Sequence, residues 1–349
     1  MWSFLSSFLF ALLITPLIIR FYRRHHWVDD PQKNLHIKKT HSEAVPRGGG
    51  LVIFTATLFG ALLILNFDRY LWAIFLGAGL LSLIGFIDDL YDISPYARLA
   101  TGLLASLIVV GAGIGIAYVS NPLGSGVIHL DQPQFNFMLF GERRSIWILS
   151  SLFAIFFIMW NMNIINWAKG VDGQLPGFVA VSCLFIAILA NRFADNPTQF
   201  NVANLALIVA GAFTGLLVWN FYPQKIMPGY GAGSLAGYFL SVLAILSGAK
   251  VATTLMVLAI PTADGIFTIV RRLAAGKSPF WGDRGHLHHK LIDYYGWGRR
   301  RIAVFYILSS ATLGFLSLYL NTLGKIIAIT TTSLIVFGFL VYSKIKQHG

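Results

Sequence analysis

Long hydrophobic runs are the feature that most constrains this chain. A helix that crosses about 30 Å of hydrocarbon needs about 20 mostly apolar residues. Eleven runs of this kind follow one another along the sequence, at residues 2–20, 48–66, 70–87, 99–119, 146–165, 175–193, 200–220, 233–248, 250–270, 302–321 and 325–343. The sequence therefore predicts an all-α, polytopic integral membrane protein with about 11 transmembrane helices.

The composition excludes several other classes of protein. Only 11% of the 349 residues are charged, 56% are hydrophobic and the mean hydropathy is +0.70, whereas a soluble domain carries about 25% charged residues. A soluble enzyme, a disordered regulator and a nucleic-acid-binding domain are excluded, although the net charge of +12 alone would suggest the last. The single cysteine, Cys183, lies in an apolar run and permits no disulfide or cysteine-based metal site within the chain.

The basic residues predict the orientation in the membrane. Twenty of the 26 Lys and Arg residues lie in the loops after odd-numbered spans or in the C-terminal tail, and such an excess marks the cytosolic side. The first span lacks the basic start and cleavage site of a signal peptide, so we expect a retained anchor with the N-terminus outside and the C-terminus cytosolic. Residues 1–349 are predicted to form one membrane domain, with cytosolic loops at about 21–47, 88–98, 166–174, 221–232 and 271–301. The longest outer loop, about 120–145, alternates apolar residues between glycines and prolines and is compatible with a short hairpin.

Two of these loops place glycines before a helix. The first contains Lys39 and His41 and ends at Gly48 and Gly49, and the fourth contains the glycine-rich stretch 228–234. Backbone N–H groups at a helix N-terminus can bind an anion such as a phosphate. The alternatives are a polybasic segment that contacts anionic lipid in the first loop and a flexible turn in the fourth.

Acidic and amide side chains follow two spans directly. Asp88 and Asp89 are adjacent at a membrane boundary, where paired carboxylates are costly unless they bind a cation or a proton. Clustered acids suit Mg²⁺-dependent phosphate chemistry, and a solvated helix end is the alternative. Asn163 and Asn166 share a helix face at the end of the fifth span, either for a ligand or as hydrogen-bonding contacts between helices.

The last long loop collects charge and imidazoles. Asp264 lies within the ninth run, where an acid is a functional candidate by default. Three histidines in four residues could ligate zinc, but adjacent His side chains do not converge easily on one ion. Imidazoles beside arginines better suit an anionic diphosphate. The candidates of this loop are Arg271, Arg272, Asp283, Arg284, His286, His288 and His289.

Together the five loops resemble one family, the polyprenyl-phosphate N-acetylhexosamine-1-phosphate transferases. The resemblance runs from Lys38 to Leu291, and the segments 261–264, 277–280 and 283–289 are most similar to the GlcNAc-1-phosphate branch. It implies transfer of a sugar 1-phosphate, most simply GlcNAc-1-phosphate, from a UDP-sugar to polyprenyl phosphate, with release of UMP. It also implies Mg²⁺ or Mn²⁺ as cofactor, a bacterial cytoplasmic membrane with the active site on its cytosolic face, and a homodimer as the expected assembly.

The resemblance also implies roles for residues of this sequence. Asp88 would orient or deprotonate the lipid phosphate, Asp89 would act near the metal, and Asn166 and Asp172 would lie near nucleotide and metal. Asp264 belongs to the same catalytic group. The three histidines and the arginines of the last loop would hold the diphosphate. The nucleotide side would be completed by Lys39, His41, Gly48 and Gly49.

Two positions depart from the family pattern. The family usually has Asp where this chain has Lys169, and alignment on Gly233 and Ser234 puts Gly231 at a second family Asp. One hypothesis is that the Lys169 ammonium partly replaces the metal ion as counter-charge. An inactive or altered member that binds lipid diphosphates is one alternative. A flippase for polyprenyl-linked sugars is the other, although the ionisable residues crowd one surface and the two halves lack its expected symmetry.

Overall fold

The computed structural model describes residues 1–31, 43–121, 124, 126–139, 142–192, 195–247, 251–279 and 283–348. Most of these residues are helical, and the mean hydropathy of the longest helices suits a membrane interior. The helices are α1 Trp2–Arg24, α2 Gly49–Ile64, α3 Arg69–Tyr91, α4 Pro95–Gly111, α5 Ile148–Trp167, α6 Gln174–Asn191, α7 Pro197–Asn220, α8 Gly229–Leu246, α9 Val251–Val257, α10 Ala259–Ala274, α11 Leu287–Tyr295, α12 Arg299–Ser317 and α13 Thr322–His348. The prediction of a mostly helical, polytopic membrane protein is confirmed.

In the described residues, six short strands form three antiparallel two-stranded ladders. The first ladder joins β1, Val28–Asp29, to β2, Val45–Pro46, and so closes the loop between α1 and α2. The other two ladders lie between α4 and α5, where the sequence suggested a hairpin. They pair β3 Tyr118–Ser120 with β4 Val127–His129, and β5 Gln134–Leu139 with β6 Glu142–Trp147.

The core is built around α8, which is buried along nearly its whole length. Helices α2, α3, α5, α6, α7 and α9 all pack against it, whereas α13 lies at the periphery with most of its side chains accessible. Glycines bring the backbones close together at these crossings, as in other membrane helix pairs. A Cβ built at Gly231 would lie 3.1 Å from the Gly50 Cα and 3.3 Å from the Gly85 Cα. Position 231 therefore lies in the crossing of α8 with α2 and α3.

The structure describes fewer helices that could cross a membrane than the eleven spans that the sequence predicted. Seven described helices are long and apolar enough to cross a membrane, and an eighth span results if α9 and α10 count as one. Helices α2 and α4 are apolar but shorter. The figure of eleven spans and the positions of the termini stay predictions.

The ninth hydrophobic run does not form the single helix that its length predicted. It breaks at Leu258 into α9 and α10, whose axes differ by 78°. Pro261 has no N–H to donate to the Val257 carbonyl four residues earlier, and the Ser310 hydroxyl of α12 donates to that carbonyl instead, at 3.0 Å. Hydropathy averaged along the sequence does not show which group donates a hydrogen bond to the Val257 carbonyl. The sequence therefore did not predict the bend.

The loops are shorter than predicted because the helices continue into them. The loop after the third span shrinks to residues 92–94, since α3 reaches Tyr91 and α4 begins at Pro95. The glycine-rich stretch becomes the first turns of α8, which begins at Gly229. Because the helices extend further than predicted, candidate site residues lie at the ends of helices that pack in the core.

Candidate active site

The ends of the predicted cytosolic loops meet at one cavity with a volume of about 400 Å³. Residues from all five loops line it, although they are far apart in the sequence. The lining residues are Arg47, Asp88, Asp92, Pro95, Arg98, Asn163, Asn166, Trp167, Lys169, Gly170, Met227, Pro228, Gly229, Tyr230, Arg272, Asp283, His286, His288 and His289. We call Asp88, Asp92, Arg98 and Lys169 the carboxylate side, and Arg272, Asp283, His286, His288 and His289 the histidine side.

An arginine organises the acids of the carboxylate side. The Arg98 guanidinium donates to Asp88 Oδ1 from Nε at 2.7 Å, and its Nη2 lies 2.6 Å from Oδ1 of both Asp88 and Asp92. The Asp88 side chain is 4% exposed and the Asp92 side chain is 79% exposed. Arg98 also lies over the Tyr230 ring at 5.3 Å, and the Tyr230 hydroxyl donates to the Arg98 carbonyl. The buried carboxylate of Asp88 is therefore held in one position at the cavity wall.

Lys169 lies beside this pair at the end of α5. Its Nζ donates to Asn166 Oδ1 at 2.8 Å and to the Gly229 carbonyl at 2.5 Å. The Asn166 amide donates in turn to Ser234 Oγ at 2.9 Å, so the ammonium group connects α5 to the start of α8. Burial lowers the pKa of Lys169 to about 7, although the charges of Asp88 and Asp89 act in the opposite direction.

The short β1–β2 ladder brings Arg47 to the cavity. Arg47 donates to Asp29 Oδ2 at 2.6 Å, and Gly48 and Gly49 follow it directly into α2. The Gly49 N–H donates to the Met227 carbonyl, and a Cβ at Gly49 would lie 2.7 Å from the Pro228 Cα. The glycines thus serve close packing of two loops, and their predicted contact with a nucleotide stays untested.

On the histidine side, Asp264 holds the ring of His286. Asp264 Oδ2 lies 3.0 Å from His286 Nδ1, and Asp264 Oδ1 accepts the Leu287 N–H at 2.9 Å at the start of α11. The other ring nitrogen, His286 Nε2, lies 3.3 Å from Arg272 Nη2. A carboxylate on one nitrogen fixes the orientation of an imidazole and favours a proton on that nitrogen. Asp264 does not line the cavity itself and acts as a positioning residue.

Asp283 links two arginines of α10. It accepts from Arg271 Nη2 at 2.8 and 2.9 Å and from Arg272 Nε at 3.2 Å, and the Gly285 N–H donates to it at 2.7 Å. Burial alone would raise the pKa of Asp283, but these donors hold it well below its usual range. Arg272 also lies over the Trp167 ring at 5.4 Å, so its guanidinium is fixed on several sides.

His288 and His289 present neutral rings to the cavity. Their side chains are almost fully buried, and within the described chain neither Nδ1 atom has a hydrogen-bond partner. Burial lowers the pKa of His289 to about 4, and burial together with His289 lowers that of His288 well below its usual value. Gly170 has no room for a Cβ because the His288 ring lies against it. These rings can therefore offer hydrogen bonds to a ligand but carry no charge at neutral pH.

Several predicted site residues do not line the cavity. Asp89 accepts from the Tyr22 hydroxyl at 3.1 Å, and Asp172 accepts the Gln224 N–H at 3.2 Å and lies 3.7 Å from Arg299 Nη1. Arg284 donates to Asp293, and its charge helps to lower the pKa of His288 and His289. The other predicted residues outside the lining are Gly48, Gly49, Asp264 and Arg271, and Lys39 and His41 lie outside the described residues.

Ten of the residues that line the cavity were not among the predicted site residues, and four of these are Arg47, Arg98, Trp167 and Tyr230. Arg98 could have been predicted, because it is the basic residue in the predicted loop that contains Asp88 and Asp89. Arg47 immediately precedes the glycine turn that was singled out. The other two, Trp167 and Tyr230, lie beside predicted residues in sequence, but an aromatic residue at a helix end gives no specific signal.

The residues predicted to bind Mg²⁺ do not come together at the cavity. Mg²⁺ takes octahedral oxygen ligands, commonly one or two carboxylates with substrate phosphates and water. Of the predicted ligands, Asp89 and Asp172 lie outside the cavity lining and an ammonium group, Lys169, stands at the lining instead. In the described parts of the chain, no three His, Cys, Asp or Glu residues are grouped so that they could hold a metal ion.

Comparisons with known proteins identify the family of this chain. The chain is 26% identical to a probable undecaprenyl-phosphate N-acetylglucosaminyl 1-phosphate transferase of Bacillus subtilis, over 88% of this chain and 81% of the relative. It is 25% identical to a decaprenyl-phosphate N-acetylglucosaminephosphotransferase of Mycolicibacterium smegmatis, over 77% and 70%. It is 28% identical to a phospho-N-acetylmuramoyl-pentapeptide-transferase of Bacillus pumilus, over 92% and 97%. The profile of glycosyl transferase family 4 matches residues 71–248, and the chain is therefore a membrane-embedded transferase that belongs to this family.

Proposed function

We propose that this protein transfers an N-acetylhexosamine 1-phosphate, with GlcNAc favoured, from a UDP-sugar to polyprenyl phosphate. An oxygen of the lipid phosphate forms a bond to the sugar-linked phosphorus, the bond from that phosphorus to UMP breaks, and polyprenyl-diphospho-HexNAc remains in the membrane. The observation that carries the proposal is the convergence of five distant loops on one cavity with four cationic side chains, Arg47, Arg98, Lys169 and Arg272. Relatives with polyprenyl-phosphate transferase names support the same reaction class.

The two sides of the cavity suit different parts of this reaction. The Asp88 side chain is buried, is held by Arg98 and lines the cavity. It is therefore placed to orient or deprotonate the lipid phosphate. Arg272 and the rings of His286, His288 and His289 would hold the diphosphate, since a phosphate accepts hydrogen bonds from guanidinium and imidazole groups. Asn163 and Asn166 line the intervening wall on the proposed nucleotide side. Positioned charges of this kind are the main requirement of phosphoryl transfer.

Purified protein incubated with polyprenyl phosphate and labelled UDP-GlcNAc tests the reaction. We expect release of UMP together with labelled lipid, and a panel with UDP-GalNAc and other UDP-sugars identifies the donor. Movement of labelled lipid across a bilayer without chemistry would instead establish a flippase. Tight binding of lipid diphosphate without turnover would establish an inactive binding protein.

We also propose that the cavity faces the cytosol and the N-terminus lies outside. The excess of basic residues in the loops that form the cavity supports this orientation. Cys183, the single native cysteine, is buried. Labelling of this protein by a thiol reagent therefore measures the accessibility of an introduced cysteine. An impermeant thiol reagent added to whole cells should label Ser120→Cys and spare Tyr96→Cys, and the reverse pattern would contradict the orientation. A homodimer stays a prediction.

A further inference from the structure

The four cations of the cavity are not equivalent. Each of the three arginines contacts a carboxylate, so much of its charge is balanced within the protein. The pairs are Arg47 with Asp29, Arg98 with Asp88, and Arg272 with Asp283. Lys169 differs, because both acceptors that the described structure gives its Nζ atom, Asn166 Oδ1 and the Gly229 carbonyl, are uncharged.

The position of Lys169 is fixed before any ligand binds. Asn166 is held by Ser234 Oγ and by the Met162 carbonyl, to both of which it donates. The Gly229 carbonyl lies at the start of α8, in the most buried helix of the molecule. A charged group that is oriented in advance costs little reorganisation when an anion binds. The nitrogen of the Lys169 amine therefore has a fixed position at the cavity wall.

We propose that the Lys169 ammonium is the internal counter-charge for the diphosphate of the nucleotide ligand, so that the cavity binds this ligand without a divalent cation. The inference rests on the proposed function, because that function supplies the nucleoside diphosphate. A lysine is an effective point-charge partner for phosphate. The predicted metal ligands point the same way, since Asp89 and Asp172 lie outside the lining and the amine of Lys169 lies in it.

The electrostatics around Lys169 are consistent with this role. Burial lowers the pKa of Lys169 to about 7 when no ligand is present. An anion close to the amine favours the charged form, so a bound diphosphate would keep the lysine protonated. The protein thus holds a cation that is most stable when its proposed ligand is present.

Binding of UDP-GlcNAc to the purified full-length protein, measured by calorimetry in excess EDTA and again in Mg²⁺, tests the inference directly. We expect similar affinity in both conditions. The Lys169→Met variant should lose roughly 10- to 100-fold in affinity in either condition, the effect of one charge-assisted contact. Lys225→Met is the matched control, because Lys225 lies over Trp219 outside the cavity lining, and its affinity should not change.

A reversed charge sharpens the test. Lys169→Asp would place a third carboxylate near Asp88 and Asp89, a set of oxygens that Mg²⁺ can use. We expect this variant to bind UDP-GlcNAc only when Mg²⁺ is added, and Lys169→Arg to retain EDTA-insensitive binding. Thermal unfolding of each variant without ligand separates loss of binding from loss of folding.

The outcomes distinguish this inference from the proposed function. Wild-type binding that disappears in EDTA and returns with Mg²⁺, with Lys169→Met unaffected, would overturn the inference, and turnover in the same preparation would leave the transferase activity standing. EDTA-insensitive binding that depends on Lys169, without any turnover, would support the inference and overturn the transferase activity. Absence of binding of UDP-GlcNAc and of every other UDP-sugar of the donor panel, in both conditions, would overturn both.

Discussion

The two sides of the cavity stabilise buried charged groups in different ways. On the carboxylate side, Asp88 and Arg98 meet across a helix boundary, and Lys169 adds a charge held by neutral acceptors. On the histidine side, a network links Asp264, His286, Arg272 and Asp283 within the last long loop and its flanking helices α10 and α11. The first side supplies one amine held by neutral acceptors, whereas the second supplies neutral rings in fixed orientations. A site for a phosphate-bearing substrate needs both, because charge attracts the anion and oriented hydrogen bonds place it.

The largest expected effect is on the carboxylate side. Asp88→Asn should lower turnover by about 10³-fold, because a positioned acid or base contributes about 10²- to 10⁴-fold. Asp92→Asn is the matched variant, since Asp92 shares the same arginine but is 79% exposed. An exposed ion pair contributes about 1 kcal/mol or less, so the Asp92 variant should lose no more than about fivefold. Equal losses in the labelled-lipid assay would show that Asp88 acts only as a partner of Arg98.

A smaller loss is expected when the histidine side loses its positioning carboxylate. Asp264→Asn keeps the shape of the side chain but removes the charge that orients His286, and turnover should fall by about 10- to 100-fold, as for other groups that orient a functional histidine. The pH profile of turnover should also shift, which a purely structural role would not produce. Asp131→Asn is the control, because Asp131 lies beside His129 in the loop between α4 and α5, outside the cavity lining. An unshifted pH profile in the Asp264 variant would contradict the positioning role.

Packing beneath the carboxylate side gives a third comparison. Gly231→Ala forces a Cβ against the Gly50 and Gly85 backbones, and overpacking of this kind costs about 1–3 kcal/mol. We expect a lower thermal unfolding midpoint in detergent. Gly338→Ala on α13 meets no atom within 4 Å and should leave the midpoint unchanged or slightly raised. Equal midpoints in the two variants would show that α8 can shift away from α2 and α3.

The smallest effect concerns acid stability on the histidine side. The pKa of His289 is lowered to about 4 by burial, so the unfolded chain takes up a proton at a higher pH than the folded one. Stability from this group is complete above about pH 6.5 and is lost as the pH falls toward 4. His289→Gln should reduce the loss of stability between pH 7 and pH 5 by on the order of 1–2 kcal/mol. Unfolding midpoints at the two pH values measure it, and an unchanged difference would refute the buried neutral state.

The sequence was most informative where a residue type has few stable environments. Asp88 and the histidines at 286, 288 and 289 stood out because charged and titratable groups beside apolar runs need partners, and all four line the cavity. Asp89 and Asp172 stood out for the same reason but found their partners elsewhere, in Tyr22 and in Gln224 and Arg299. Sequence spacing alone does not say which acid of a pair faces the cavity, because that depends on how the whole helix is rotated against its neighbours.

The hydrophobic runs by themselves determined a helical membrane protein, since an apolar run of this length is stable only where lipid or other helices cover it. The residue types also predicted that phosphate chemistry is concentrated in the loops after odd-numbered spans. Only the tertiary structure decided the break at Leu258, where Ser310 of another helix satisfies a carbonyl, and the pairing of Arg98 with Asp88. It also decided that Lys169 reaches the Gly229 carbonyl 60 residues away. Each of these depends on contacts between segments distant in the chain, and local sequence carries no record of which distant group will satisfy a buried charge or carbonyl.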